Sequence, residues 1–312
     1  MQTTSGNTIT IMASRVEHNR VETIAEFAPT SAFSRADAIR AAAVMPLLFV
    51  AFWPIFTGLY GSWFDDRTYM EHGILVVPAA AYMAWTKRQK LSQVPLQPSA
   101  WGLGLMAWGA VQATLSVVTS WAFLGRAAFL VSLVGCILAL YGRRMVVELT
   151  YPLCTLMLMI APPVFVYDRL TGSLQLLASR LGESVLEILG YSVMREGNIL
   201  ELVGIKLSVE EACSGIRSLF SILFMCTLYN FFFVRERYVK ALILVMAVPI
   251  AILGNAGRIV ATGMASQYNR ELIQGVSHEM FGYISVVVAG IGCVALHMII
   301  LWIQKVRGTQ HA

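Results

Sequence analysis

Apolar residues fall in long blocks separated by short polar clusters. Each block of about 20 residues is long enough, as a helix, to cross roughly 30 Å of hydrocarbon. Eight such spans are expected: Ala38–Gly61, Gly73–Trp85, Ala100–Thr119, Trp121–Gly142, Val146–Val166, Ser214–Val234, Val239–Gly257 and Phe281–Ile303. The second is short, and the turn between the third and fourth is tight. Pro162-Pro163 ends the fifth, because proline cannot continue a helical hydrogen-bond ladder. The chain reads as an all-α polytopic membrane protein. Residues 1–37 are polar, with no early apolar core of a cleavable signal, so a cytoplasmic tail and an uncleaved first span are expected.

One polar interval, Tyr167 to Ala212, is too long for a turn. Its first part places Leu170, Leu174, Leu177, Leu181, Val185 and Ile188 at helical spacing, with Arg169, Arg180, Glu183 and Glu187 on the rest of the wheel. This pattern predicts an amphipathic helix on or in the membrane interface, or alternatively an ordinary packed helix. The period then drops to two: Ile205, Leu207 and Val209 alternate with Lys206, Ser208 and Glu210. Glu196-Gly197-Asn198 and Val203-Gly204 are turn signals. A short β-hairpin insertion of two or three antiparallel strands is expected, leading into the sixth span.

Basic clusters set the orientation. Arg15, Arg20, Arg35 and Arg40, then Lys87, Arg88 and Lys90, then Arg143 and Arg144, then Arg235, Arg237 and Lys240, then Lys305 and Arg307 occupy alternate gaps. With these inside, both termini are cytoplasmic and the Tyr167–Ala212 insertion is extracytoplasmic.

The stretch VEEACSGIRS (209–218) puts Cys213 at the outer mouth of the sixth span. Unsatisfied backbone N–H groups and the helix dipole favour an anion at a helix N-terminus, and thiols there are commonly acidified to the nucleophilic thiolate. Arg217, four residues on, shares that helical face and adds positive field. Glu210 and Glu211 oppose it if they point at the sulfur. Alternatively they cap the helix or bind a cation in the substrate. The stretch GNAGRIVATG (254–263) holds Asn255 and Arg258, three apart on one face, among small residues that let helices approach. Arg258 has two readings: a snorkelling helix-end arginine, or an inward-facing functional one. SHEMFGY (277–283) places His278 in the loop before the eighth span, either as a surface residue or beside the other two. On one rim, a thiol can attack a carbonyl, a histidine can take its proton and protonate the leaving amine, and an arginine can neutralise the oxyanion or fix a carboxylate. That division of labour is acyl transfer.

Composition narrows the alternatives. Hydrophobic residues make up 57% and charged ones 13%, against about 25% charged in a soluble domain. The net charge of +5 comes from topology clusters, so no nucleic-acid partner is expected. The five cysteines, Cys136, Cys154, Cys213, Cys226 and Cys293, have no CxxC or metal-ligand spacing, so neither a disulfide framework nor a metal is expected. Asp65, Asp66, Glu71 and His72 cluster after the first span without a standard ligand pattern. They read as a solvated interface or a substrate-motif contact. His297 is expected to make an interhelical hydrogen bond and Cys226 to lie in the core.

EACSGIRS with Cys213, GNAGR with Arg258 and SHEMFGY with His278 together resemble the exosortase/archaeosortase family of membrane transpeptidases. MREGNILEL and WFDDRTYMEHGILVVP resemble further conserved regions of that family, although Met70-Glu71 stand before His72 where a serine is expected. The resemblance implies a transmembrane exosortase domain at 38–304, with a short cytoplasmic tail at 305–312, in a bacterial inner membrane. It implies a cysteine transpeptidase or protease without a cofactor. Its substrates would be membrane-anchored proteins with a C-terminal sorting tail: a Pro-Glu-Pro-type motif, a transmembrane helix and a basic cluster. Cleavage would pass through a thioester on Cys213, with transfer to an amine acceptor and often a tie to exopolysaccharide assembly. Cys213, Arg258 and His278 inherit catalytic roles, with Arg217, Glu210, Glu211, Asn255 and His72 supporting. Two other classes fit a polytopic chain: a transporter, which usually shows repeats and midplane charges not seen here, and a non-catalytic exopolysaccharide assembly factor.

Overall fold

A computed structural model describes residues 35–64, 70–202, 205–208, 216–268 and 276–309. The described chain is mostly helical: α1 Arg35–Ala51, α2 Trp53–Trp63, α3 Gly73–Thr86, α4 Arg88–Leu91, α5 Trp101–Thr119, α6 Ala122–Tyr141, α7 Arg143–Glu148, α8 Thr150–Leu156, α9 Val164–Ile188, α10 Ile216–Phe233, α11 Arg237–Tyr268 and α12 Val276–Thr309.

Among the described residues, five helices are long and apolar enough to cross a membrane: α5, α6, α10, α11 and α12. Counting two bent pairs as single spans raises the number to seven. Eight unbroken spans are not what the structure shows. The expected first span breaks at Phe52 with a 64° bend, where Pro54 sits at the start of α2. The expected fifth span is divided among α7, α8 and the 3-10 turn Met157–Met159. A 79° bend through Pro162-Pro163 then separates it from α9. The expected second span is α3, whose 14 residues reach only about 21 Å. Large apolar side chains such as Trp101, Leu103, Trp108, Val117 and Val118 lie exposed along α5, far more apolar surface than a soluble protein shows. This is a membrane protein.

Helices α5 and α6 form a close antiparallel hairpin around the tight turn at Ser120. A Cβ at Gly102 would lie 2.3 Å from the Ala139 nitrogen, so only glycine permits that approach. The second layer is α10 packed on α11 and α12 through Ile222, Cys226, Val239, Ile243, Ala247, Ala289 and Cys293.

The insertion forms as expected, with extensions. Helix α9 starts at Val164 and turns away from α8. Its small face, Thr171, Ala178, Ser179, Gly182 and Leu186, is buried. Leu170, Leu177, Val185 and Ile188 of the apolar stripe remain exposed. A helix with protein on one side and an uncovered apolar stripe beside it suits the membrane interface. Strands β1 Val193–Glu196, β2 Ile199–Leu202 and β3 Ile205–Ser208 form an antiparallel meander in sequence order. The two-residue turn at Gly197-Asn198 uses the positive φ of 63° at Gly197, which suits a tight hairpin.

Helix α11 does not end at Gly257. It continues to Tyr268, and its 32 residues span about 48 Å. The reason is packing: Ile259 and Val260 join Ala178, Leu186, Leu200 and Leu202 in a core shared with α9 and the meander. Hydropathy alone cannot register a helix continued by an extramembrane layer.

Candidate active site

The candidate residues fall at the ends of α10, α11 and α12 and just before α3. Cys213, Glu210 and Glu211 lie outside the described residues, as do Asp65 and Asp66. Helix α10 begins at Ile216, three residues after Cys213. Position 278 falls in the first turn of α12 rather than in a loop, and its side chain lies outside the described set.

Arg258 stands 21 residues into α11, roughly 32 Å from its start by helical rise. That distance matches the far edge of the hydrocarbon layer if α11 enters at Arg237. The side chain is buried, 7% exposed, and it points between helices. A Cβ at Gly282 would sit 3.5 Å from its Nη1 and 3.7 Å from its Cζ. The guanidinium therefore lies against α12 at Gly282, one helical turn after position 278. This favours the inward-facing reading over a snorkelling arginine. Asn255, one turn earlier on the same helix, is fully buried at 1% exposed. Gly257 faces open space, contrary to the expectation of close helix approach there. The tight contacts come instead from Gly182 against Ile259 and Gly263 against Leu186.

Arg217 forms an ion pair with Glu71. Its charge is thus shared with a carboxylate, and the pair ties the loop before α3 to the mouth of α10. Sequence spacing gave no sign of this, because the two residues lie 146 positions apart.

His72 immediately precedes α3 and is buried. Its ring lies nearly parallel to Phe220 of α10, 6.3 Å away at an interplanar angle of 9°, with Phe224 at 6.2 Å. Its Nε2 lies 3.2 Å from the Leu158 carbonyl oxygen. A carbonyl only accepts, so Nε2 carries the proton and donates. Nδ1 is then an acceptor, buried and without a hydrogen-bond partner among the described residues. Burial holds the imidazole below its usual pKa, outweighing the Leu158 carbonyl and Glu71, which pull it up. His72 is therefore a neutral, fixed ring packed between the start of α3 and α10.

Trp63 was missed by sequence reasoning. Its Nε1 donates to the Met159 carbonyl at 3.1 Å, so Trp63 and His72 together satisfy carbonyls freed where the 3-10 turn ends. Gly73 makes this possible, since a Cβ there would lie 2.2 Å from the Trp63 Nε1. In the MREGN stretch, Arg195 is structural. Its Nε donates to Glu183 of α9 at 2.7 Å and its Nη1 to the Gly197 carbonyl at 2.9 Å, clamping the hairpin to α9.

Deeper in the second layer, Tyr229 Oη and His297 Nδ1 are 2.7 Å apart, the expected interhelical hydrogen bond. Cys226 is core, 2% exposed. Among the described residues no cluster of three or more His, Cys, Asp or Glu side chains is arranged to hold a metal.

No curated protein and no solved structure matches the chain. A family model does: "Transmembrane exosortase (Exosortase_EpsH)" matches residues 63–296, 234 of the 312 positions. The matched region contains His72, Cys213, Arg217, Asn255, Arg258 and His278. The chain belongs to the transmembrane exosortase family.

Proposed function

We propose that this protein is a membrane cysteine transpeptidase that processes C-terminal sorting tails of exported, membrane-anchored proteins. The observation that supports this most is the placement of Arg258. It is a buried arginine at the far end of a membrane helix, pressed against α12 one turn from position 278, in a chain of the exosortase family.

In this reading His278 takes the Cys213 proton and the sulfur attacks the carbonyl at the sorting motif. Arg258 faces the oxyanion. The peptide C–N bond breaks, the amine leaves with the proton from His278, and the acyl group stays on sulfur as a thioester. An acceptor amine then attacks the thioester, forms the new amide and releases the thiol. Asn255 orients the Arg258 helix face. Arg217 and Glu71 hold the mouth of α10, and Glu210 and Glu211 take supporting roles. The uncovered apolar stripe of α9 keeps the site at the surface of the bilayer, where a tail motif just outside its own transmembrane helix would arrive. The positive-inside pattern puts this face outside the bacterial inner membrane, with both termini in the cytoplasm. Exopolysaccharide assembly is the setting the family resemblance implies.

The test is Cys213→Ala in proteoliposomes with a substrate ending in a Pro-containing motif, one apolar helix and an arginine cluster. Processing should vanish while the protein remains folded. Uptake or conductance without processing by the wild type would favour a transporter.

A further inference from the structure

The end of the α5–α6 hairpin remote from Ser120 carries an open cavity of about 740 Å³ that the proposed reaction does not use. Its walls are the chain between α4 and α5 and the start of α7. They are joined by Gln97 N–H donating to the Tyr141 carbonyl at 3.2 Å and Ser99 N–H to Leu138 at 3.2 Å. At the corner stands Gly142, with φ +87°. A Cβ there would lie 1.9 Å from the Gln97 carbonyl oxygen. The turn is built on glycine, and the cavity is fixed by backbone contacts.

Its lining is basic. Lys90, Arg143 and Arg144 face it, with Glu148 as its single carboxylate and Gln93 and Gln97 as neutral donors. Glu148 is already engaged. Lys90 Nζ lies 2.9 Å from its Oε2, and Lys87 Nζ donates to its backbone carbonyl at 2.7 Å. Arg143 and Arg144 are exposed and pair with no carboxylate among the described residues. Exposed apolar groups border the same region. Val147 is part of the wall and is 60% exposed. Trp101 opens α5 and Trp85 closes α3, both largely exposed. Tryptophans at helix ends mark the headgroup level of a bilayer.

Two guanidiniums without carboxylates, in a fixed cavity beside exposed apolar side chains, match an amphiphile with a phosphate head. We infer that this cavity binds the phosphodiester of an anionic phospholipid. The guanidinium forks would hold its non-bridging oxygens, and the acyl chains would run along Val147 and the exposed face of α5. A basic peptide would be repelled there. The inference is independent of the catalytic reading.

The test is native mass spectrometry of the full-length protein in detergent, titrated with phosphatidylglycerol, phosphatidylcholine or inorganic phosphate. Phosphatidylglycerol should bind in preference to phosphatidylcholine. A basic side chain near a membrane surface contributes about fivefold, so R143Q/R144Q should weaken phosphatidylglycerol about thirtyfold. R143K/R144K, which keeps the charge and loses the forks, should fall between. R235Q/R237Q, a second exposed basic pair on the same end of the bundle, should change binding less than twofold. Equal affinity for the two lipids, or equal loss in both glutamine variants, would overturn the inference in favour of diffuse surface charge. Displacement of the lipid by millimolar phosphate would overturn the lipid assignment and give the cavity to the free anion.

Discussion

Position 282 offers a graded way to move Arg258 without replacing it. A Cβ at 282 would stand 3.5 Å from Nη1, an ordinary van der Waals separation. Gly282→Ala should therefore leave the guanidinium in place, and it gains about 0.5–1 kcal/mol of helix propensity. In Gly282→Leu a rotamer that turns the next carbon toward Arg258 extends roughly 1.5 Å further, to about 2–2.5 Å from Nη1 where about 3.5 Å is needed. The guanidinium must retreat by about 1 Å or more. Misplacement of a positioning group by 1 Å can cost roughly a hundredfold in rate. The assay is processing of a sorting-tail substrate in proteoliposomes, with folded protein quantified by gel filtration and thermal unfolding. Gly282→Ala should match wild type. Gly282→Leu should lose about a hundredfold in kcat/KM while the folded fraction holds. Wild-type turnover by Gly282→Leu would refute the placement of Arg258 in the chemistry, and equal loss in Ala and Leu would refute the steric argument.

Gly73→Ala drives a methyl into the Trp63 indole. It should cost about 2–4 kcal/mol from overpacking and a weakened hydrogen bond, read as a lower midpoint in denaturant unfolding. Tyr229→Phe leaves His297 Nδ1 without its partner and should cost about 1–2 kcal/mol of stability, with processing by the folded protein unchanged. The Glu71–Arg217 pair is partly exposed, so a double-mutant cycle with Glu71→Gln and Arg217→Gln should give a coupling below about 1 kcal/mol. A larger value would mean the pair is closed off from water.

Much of this was legible in the sequence. The long apolar blocks of α5, α6, α10 and α12 have one meaning at that length. The change of period after Gly190 marks the meander, and polar residues gathered at helix mouths mark the candidate site. What was not legible depends on long-range packing. The extension of α11 to Tyr268 needs the α9 and meander core around Ile259 and Leu200. The break at Pro162-Pro163 was visible as a helix end, but the direction taken by α9 was not. The Glu71–Arg217 pair and the Trp63–Met159 hydrogen bond join residues far apart in the chain, and no local pattern encodes them. Arg258 carried two readings in sequence, and only its burial and its contact with Gly282 distinguish them.

In the proposed reaction Cys213 carries the acyl group. The direct measurement is intact-mass and peptide mass spectrometry of the protein quenched in acid during turnover of a sorting-tail substrate without an acceptor amine. A hydroxylamine-labile thioester on Cys213 is expected, absent in Cys213→Ala and depleted in Arg258→Ala. An adduct on another residue, or normal processing by the Cys213→Ala protein, would contradict it.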